Sequence, residues 1–111
     1  MSENIEAISV IDKFLEHTRT FIFCNNGDTK VYISSADFMT RNLENRVEVG
    51  CPIYDEDIKK ELLDTFEICW ADNVKARLFN AAQNNTYRKN NNKKVRSQFA
   101  TYDYYVDKLK D

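Results

Sequence analysis

The chain has 111 residues, enough for one domain with a single hydrophobic core or for part of a larger domain. Its 16 basic and 18 acidic residues give a formal net charge of -2, which excludes a strong overall attraction to nucleic acid or to an anionic membrane. No apolar stretch approaches the roughly 18 residues of a membrane span, and no signal segment opens the chain. We therefore expect a cytoplasmic protein without a nucleic-acid partner; peripheral association with a membrane stays open.

The three cysteines, Cys24, Cys51 and Cys69, lie in apolar surroundings and lack the Cys-x-x-Cys spacing of metal and redox sites. An odd number without this spacing predicts buried free thiols in a reducing compartment. We expect neither disulfides nor metal ligands among them.

The first half of the chain contains strand-like segments. Residues 5 to 15 fit either a helical stripe or a buried strand, and we favour an extended segment. Phe21–Cys24 and Lys30–Ser34 flank a turn rich in Asn and Gly, which predicts an antiparallel hairpin. Arg46–Val49 alternates polar and apolar residues, so a strand there would place both charged side chains on one face. Pro52 is predicted to end the strand region.

The second half is predicted to contain two helices. Asp55 is a candidate cap for a helix that runs to about Asp72. Apolar positions in this helix recur at spacings of four and three, which predicts one broad buried face. These positions are Ile58, Leu62, Phe66 and Cys69.

The last third repeats this pattern. Lys75–Phe79 predicts a short strand, and the polar, basic residues 81 to 94 predict an exposed loop. A second amphipathic helix, with its apolar face expected to pack on a sheet, reaches the C-terminus. Its apolar positions are Val95, Phe99, Tyr102, Val106 and Leu109. The order of elements predicts an α/β fold, a mixed sheet packed with helices.

His17 is the only histidine, so imidazole acid/base or nucleophilic chemistry in this chain must use it. Arg19 lies on the same side if the segment is extended, and Ser34, Ser35 and Asp37 follow the next predicted strand. An imidazole, a guanidinium and small hydroxyls in one pocket suit phosphoryl chemistry. A structural histidine and plain turn-forming serines are the alternatives.

Arg41, Arg46 and Glu48 could extend this pocket, because further arginines would neutralise a polyanion and the glutamate could hold an arginine. A solvated or paired strand face is the alternative. Seven basic residues also make the last third locally basic, and an extended polyanion could bind there, although solvated loop lysines are the commoner case. These residues are Lys75, Arg77, Arg88, Lys89, Lys93, Lys94 and Arg96.

Several separated segments occur in an order that suggests a family. They include Ser9–His17, Val31–Leu43, Arg46–Val49, Asp72–Arg77 and Val95–Gln98. Together they resemble the C-terminal end of bacterial polyphosphate kinases, the type built on phospholipase D-like catalytic domains. The resemblance covers almost the whole chain. It implies that residues 1 to 111 are a fragment, a partial phospholipase D-like domain that begins within a longer protein.

The resemblance also implies a reaction. In the family, the terminal phosphate of ATP passes reversibly to inorganic polyphosphate, with Mg²⁺ and a phosphohistidine that lies on a preceding domain absent from this chain. It implies ATP, ADP, polyphosphate and the rest of the kinase chain as partners, within a homo-oligomer. We expect no cofactor bound to this fragment and no turnover by the fragment alone.

The family pattern gives individual residues a role. His17 matches the second active-site histidine, the partner acid/base, and Arg46 and Glu48 match positions that line the nucleotide and phosphate pocket. Arg19 replaces the Lys of the phospholipase D motif and Cys24 its Asp, which argues against a phosphodiesterase that uses the unmodified motif. Two alternatives stay open: a half-site phospholipase D-type phosphodiesterase completed by dimerisation, and a non-catalytic polyanion-binding module.

Overall fold

A computed structural model of the chain describes residues 2 to 110, which group into two compact units. One unit combines residues 2–15 with 65–110, and the other comprises residues 16–64. The strands are β1 Ile8–Val10, β2 Thr20–Phe23, β3 Lys30–Ser34, β4 Gly50–Ile53 and β5 Ala76–Leu78, and the helices are α1 Thr40–Leu43, α2 Glu56–Trp70 and α3 Ser97–Leu109.

The unit of residues 16–64 contains a three-stranded antiparallel sheet in the order β2-β3-β4. The predicted hairpin is confirmed, with Phe21 opposite Tyr32 in the register of β2 and β3. Its turn needs residues that tolerate the left-handed region, since Asn25, Asn26 and Gly27 have φ of 46°, 54° and 94°. The Asn-Gly composition that predicted the hairpin is thus also what the turn geometry requires.

The predicted strand at Arg46–Val49 is wrong. These residues form a bend and an irregular segment, and the third strand of the sheet begins one residue later, at Gly50. Val47 is 100% exposed, so the alternating pattern had no core to face. Pro52 lies inside β4, not beyond it, because an edge strand tolerates a residue without an N–H.

In the other unit, β1 and β5 pair antiparallel, with Ser9 opposite Arg77. The extended prediction for residues 5 to 15 is therefore confirmed over Ile8–Val10, and so is the strand predicted near Lys75–Phe79. Residues 81 to 94 contain no helix and no strand, only an isolated bridge at Tyr87.

Asp72 organises the loops of this unit from a fully buried position. Its Oδ1 accepts backbone N–H bonds from Val74, Lys75 and Ala76 at 3.0, 2.8 and 2.9 Å. Its Oδ2 accepts the Ser97 N–H at 2.8 Å, at the start of α3. Burial opposes ionisation, but the backbone N–H bonds outweigh it and lower the pKa of Asp72. One carboxylate thus joins the start of β5 to the start of α3.

The two long helices exist as predicted, but their predicted buried faces are wrong. Asp55 caps α2, since its Oδ1 accepts the N–H of Asp57 at 2.9 Å and of Ile58 at 3.1 Å. Ile58 is nevertheless 51% exposed, and Phe66 on the same face is exposed as well. Several of the apolar positions of α3 are also exposed, namely Phe99, Tyr102 and Leu109. Periodicity identified an apolar face, and the described residues cover it only in part, since Leu62, Cys69 and Val106 are half-buried.

The α/β class is confirmed, with the strands divided between two antiparallel sheets. Among the described residues, Val31 and Ala76 are the only fully buried apolar side chains. No disulfide joins the three cysteines within the described residues, yet Cys24 and Cys51 are exposed, so the prediction of buried thiols is wrong for these two. Within residues 2 to 110, no helix combines the length and apolar character needed to cross a membrane.

Candidate functional site

Arg19 and Asp37 form the polar centre of the unit of residues 16–64. Arg19 precedes β2 and Asp37 follows β3, and a backbone bond from Ser34 N to Arg19 O (2.9 Å) keeps these ends of the hairpin together. Arg19 Nε donates to Asp37 Oδ1 at 2.6 Å, and Nη2 donates to Oδ2 at 3.4 Å. This contact uses one edge of the guanidinium. The Nη1–Nη2 edge is left for two parallel hydrogen bonds to an anion.

Asp37 is held in its ionised form by its surroundings. The hydrogen bond from Arg19 lowers the pKa of Asp37, against an opposing effect of partial burial. The charges of Arg19, Arg41 and His17 lower this pKa further. Asp37 is therefore an anion at neutral pH, and it fixes the orientation of a cation rather than exchanging protons.

The two neighbouring serines have different hydrogen bonds. Ser34 Oγ accepts the Ala36 N–H at 3.0 Å, and its hydroxyl hydrogen has no acceptor in the described part of the chain. Ser35 Oγ donates to Glu48 Oε2 and accepts the Val49 N–H at 3.0 Å. Ser34 can therefore donate a hydrogen bond to a ligand, whereas the Ser35 hydroxyl already donates one hydrogen bond and accepts another.

Glu48 connects this turn to α1. Asn42 Nδ2 donates to Glu48 Oε1 at 2.7 Å, while Ser35 occupies the other carboxylate oxygen. The hydrogen bonds from Ser35 and then Asn42 lower the pKa of Glu48, and the charges of Arg46 and Arg19 add to them against partial burial. Asn42 is only 6% exposed, and its buried Oδ1 has no partner within the described residues.

The remaining predicted site residues lie at the surface of this unit. His17, Arg41 and Arg46 are exposed, and none of them forms an ion pair or a hydrogen bond within residues 2 to 110. The structure therefore brings together four of the seven predicted site residues by direct bonds: Arg19, Ser34, Ser35 and Glu48. Electrostatic effects link His17 and Arg41 to Asp37, and Arg46 to Glu48.

Asn42 was not among the predicted site residues, although it contacts Glu48 in the structure. Its helix, α1, has only four residues, too few for a periodic pattern. An Asn beside a turn also resembles an ordinary capping residue. An Asn and a Glu six residues apart carry no sequence signal that could have revealed their contact.

The carboxylates of this site already have hydrogen-bond partners within the chain. Asp37 is bound to Arg19, and both oxygens of Glu48 are bound to neutral donors. Within residues 2 to 110, no three His, Cys, Asp or Glu side chains cluster as metal ligands would. Mg²⁺ prefers oxygen ligands in near-octahedral geometry, so these residues do not fit a magnesium site of their own.

Comparison with known proteins places this arrangement in a family. Residues 1–98 match the family model described as polyphosphate kinase C-terminal domain 2. The chain belongs to the polyphosphate kinase family. It is 50% identical over 105 residues to the polyphosphate kinase of Klebsiella pneumoniae and 51% identical over 105 residues to that of Vibrio parahaemolyticus. The fold is also similar to the crystal structure of the polyphosphate kinase from Porphyromonas gingivalis, with a TM-score of 0.91 and 43% identity.

The coverage of these matches is uneven. They include 94% of this chain for the two sequence relatives and 96% for the crystal structure. The chain spans only 15% of the length of each relative and 16% of the chain in the crystal structure. Family membership therefore rests on nearly all of this chain, while most of each polyphosphate kinase has no counterpart in it.

Proposed function

We propose that this chain is part of a polyphosphate kinase that transfers the terminal phosphate of ATP reversibly to inorganic polyphosphate. The observation that carries the proposal is the 50% identity over 94% of the chain to relatives named polyphosphate kinase. The site geometry supports it, because the free Nη1–Nη2 edge of Arg19 and the unused hydroxyl hydrogen of Ser34 lie at neighbouring ends of the hairpin and can both donate to phosphate oxygens. ATP, ADP, polyphosphate and the rest of the kinase chain are the partners that we expect, within a homo-oligomer.

In this proposal Arg19 and Ser34 bind phosphate oxygens directly. The free edge of Arg19 supplies two parallel N–H donors, and Ser34 supplies its unused hydroxyl hydrogen. Arg41 and Arg46 form no ion pair within the described residues, so their charges are available to a polyanion. Phosphoryl transfer depends mainly on positioning and on stabilising the charge of the oxygens, which suits these side chains.

His17 acts as the proton donor or acceptor. Its exposed imidazole has no hydrogen bond to another residue within residues 2 to 110, so both ring nitrogens are accessible. In the direction of polyphosphate synthesis, one ring nitrogen donates a proton to the ADP oxygen from which the phosphoryl group departs. In the reverse direction the same nitrogen accepts that proton. The phosphohistidine intermediate lies on a part of the kinase outside this chain.

Ser35, Glu48 and Asn42 act through the turn rather than on the substrate. Their hydrogen bonds fix the segment after β3, which carries Ser34 and Asp37. Mg²⁺ is expected to arrive with the phosphates of the nucleotide, because the carboxylates of this segment are already bound.

The test replaces His17 in the complete kinase. His17→Ala should lower ATP-dependent polyphosphate synthesis by about 10²- to 10⁴-fold, the usual size of acid/base catalysis, with unchanged folding. Thr18→Ala, at the exposed neighbouring position, is the matched control. Near-normal synthesis by His17→Ala would exclude the proposed role. Hydrolysis of a phosphodiester by the isolated chain would instead favour the phospholipase D-type alternative.

A further inference from the structure

The residues from 73 to 102 carry a strong local charge. None of the 18 acidic residues of the chain lies in this basic segment, whereas seven of its 16 basic residues do. The whole segment belongs to the unit of residues 2–15 and 65–110, whereas Arg19 belongs to the other unit. A chain with a net charge of -2 thus has one region that is strongly positive.

Three arginines of the basic segment are used to hold its own fold. Arg77 lies over the Tyr87 ring at 3.7 Å and donates to the Tyr87 hydroxyl at 2.7 Å. Arg88 donates to the backbone carbonyl of Trp70. Arg96 forms a two-bond ion pair with Asp12, at 2.8 and 2.7 Å. Each of these guanidinium groups therefore has a partner within its own unit.

Four lysines remain, and their ammonium groups form no ion pair or hydrogen bond within residues 2 to 110. They are Lys75, Lys89, Lys93 and Lys94. Three of them are exposed, and Lys75 is half-buried with a weak electrostatic effect on Asp12. In the basic segment the arginine side chains thus have partners within the chain, whereas the ammonium groups of the four lysines have no such partner among the described residues.

The loop that carries these lysines is ordered by Asn73. Asn73 Nδ2 donates to Asn90 Oδ1 at 2.8 Å and to the Lys93 carbonyl at 3.1 Å. Asn73 Oδ1 accepts the Val95 N–H at 2.8 Å. Because Asn73 lies two residues before Lys75, these bonds bring Lys93 and Lys94 to the same region as Lys75. The backbone positions of these three lysines therefore lie in one region of the unit.

We propose that Lys75, Lys89, Lys93 and Lys94 form a binding surface for the linear phosphate polymer. Polyphosphate carries its charges along a flexible chain, and exposed ammonium groups bind such a polymer through Coulomb attraction and counterion release without requiring one fixed geometry. The choice of polyphosphate over RNA as the polymer rests on the proposed function.

The experiment measures polyphosphate binding to the complete kinase at about 50 mM and 200 mM salt. Replacement of the four lysines by Gln should weaken binding of long-chain polyphosphate by about tenfold or more at the lower salt concentration, and the slope of log Kd against log salt should fall by about 2 to 3. The KM for ATP should not change. The control makes the same change in net charge by replacing four lysines outside the basic segment by Gln: Lys59, Lys60, Lys108 and Lys110.

Each alternative outcome contradicts the proposal. Unchanged binding, or an equal loss in the control, would mean that these four positions are not the binding surface. Equal competition by a single-stranded RNA would assign the surface to polyanions in general. The proposed function is tested separately, because His17→Ala should lose synthesis while it binds long-chain polyphosphate with the wild-type affinity and salt dependence.

Discussion

Asp37 binds Arg19 from the Nε side, at 2.6 Å, and so determines which edge of the guanidinium faces outward. The same contact lowers the pKa of Asp37, so the pair stays charged at neutral pH. An isolated arginine at the surface would sample many orientations, and holding one would cost side-chain entropy when a ligand binds. In this hairpin the Arg19 side chain loses that entropy when the protein folds, before any ligand binds.

The first prediction concerns the free edge of Arg19. Arg19→Lys keeps the charge but loses the planar pair of donors, and we expect kcat/KM for polyphosphate synthesis to fall by about 10- to 100-fold. Steady-state kinetics of the complete kinase would measure this. Asp28→Asn, which removes an exposed carboxylate paired with Lys30, should leave the rate unchanged. A rate close to that of the wild type in Arg19→Lys would remove Arg19 from the phosphate site.

The sequence placed Arg19 and Ser34 correctly at neighbouring ends of a hairpin, because Asn and Gly in the turn and the β-branched strands both predict one. It could not distinguish Ser34 from Ser35. The two are adjacent and chemically identical, and only the position of Glu48, thirteen residues further along, decides which hydroxyl is used. Such contacts depend on the path of an irregular segment, which has no periodic signal.

The second prediction separates these serines. Ser34→Ala removes a free donor and should raise the KM for ATP or polyphosphate by about fivefold to tenfold with an unchanged fold. Ser35→Ala removes a hydroxyl that links Glu48 to the Val49 backbone, so it should loosen the turn and lower kcat as well. Kinetics together with hydrogen exchange of residues 34 to 49 would distinguish them. Identical effects of both variants would contradict the assignment.

The third prediction uses the Asn42 contact with Glu48. Asn42→Asp would place a second, buried carboxylate about 3 Å from the first, and one of the two would have to bind a proton. The activity of the variant relative to the wild type should therefore rise as the pH falls from about 8 to 6. Asn42→Ala, which adds no charge, is the control and should show a lower but pH-independent ratio. A constant ratio in Asn42→Asp would show that these groups do not interact.

The fold was predicted best where local chemistry decides it. The Asp55 cap and the Asn-Gly turn are satisfied within a few residues, and both appear as expected. The buried faces of α2 and α3 were wrong because a pattern such as that of Ile58 and Phe66 indicates an apolar face without indicating what covers it. The predicted strand at Arg46–Val49 was wrong for the same reason. An alternating pattern indicates a strand only where the apolar side chains, such as Val47, can pack against a core.

The last prediction concerns Asp72, whose carboxylate accepts four backbone N–H bonds. Asp72→Asn keeps one acceptor oxygen and turns an amide donor towards the remaining N–H, so the local free energy of opening should fall by about 1 to 3 kcal/mol. Hydrogen exchange of Val74, Lys75 and Ala76 in the complete protein would measure it.

The pH dependence of this effect follows from the lowered pKa of Asp72. A carboxylate whose pKa is lower in the folded state contributes stability above its unfolded pKa of about 3.9, and this contribution is lost as the pH falls through that value towards the folded pKa. The difference between wild type and Asp72→Asn should therefore be constant from pH 7 to about 5 and shrink below about pH 4. Asp28→Asn is the control, because the pKa of Asp28 is also lowered but its carboxylate is exposed, and it should leave these amides unchanged. A difference that grew on acidification would mean that Asp72 is protonated in the folded protein.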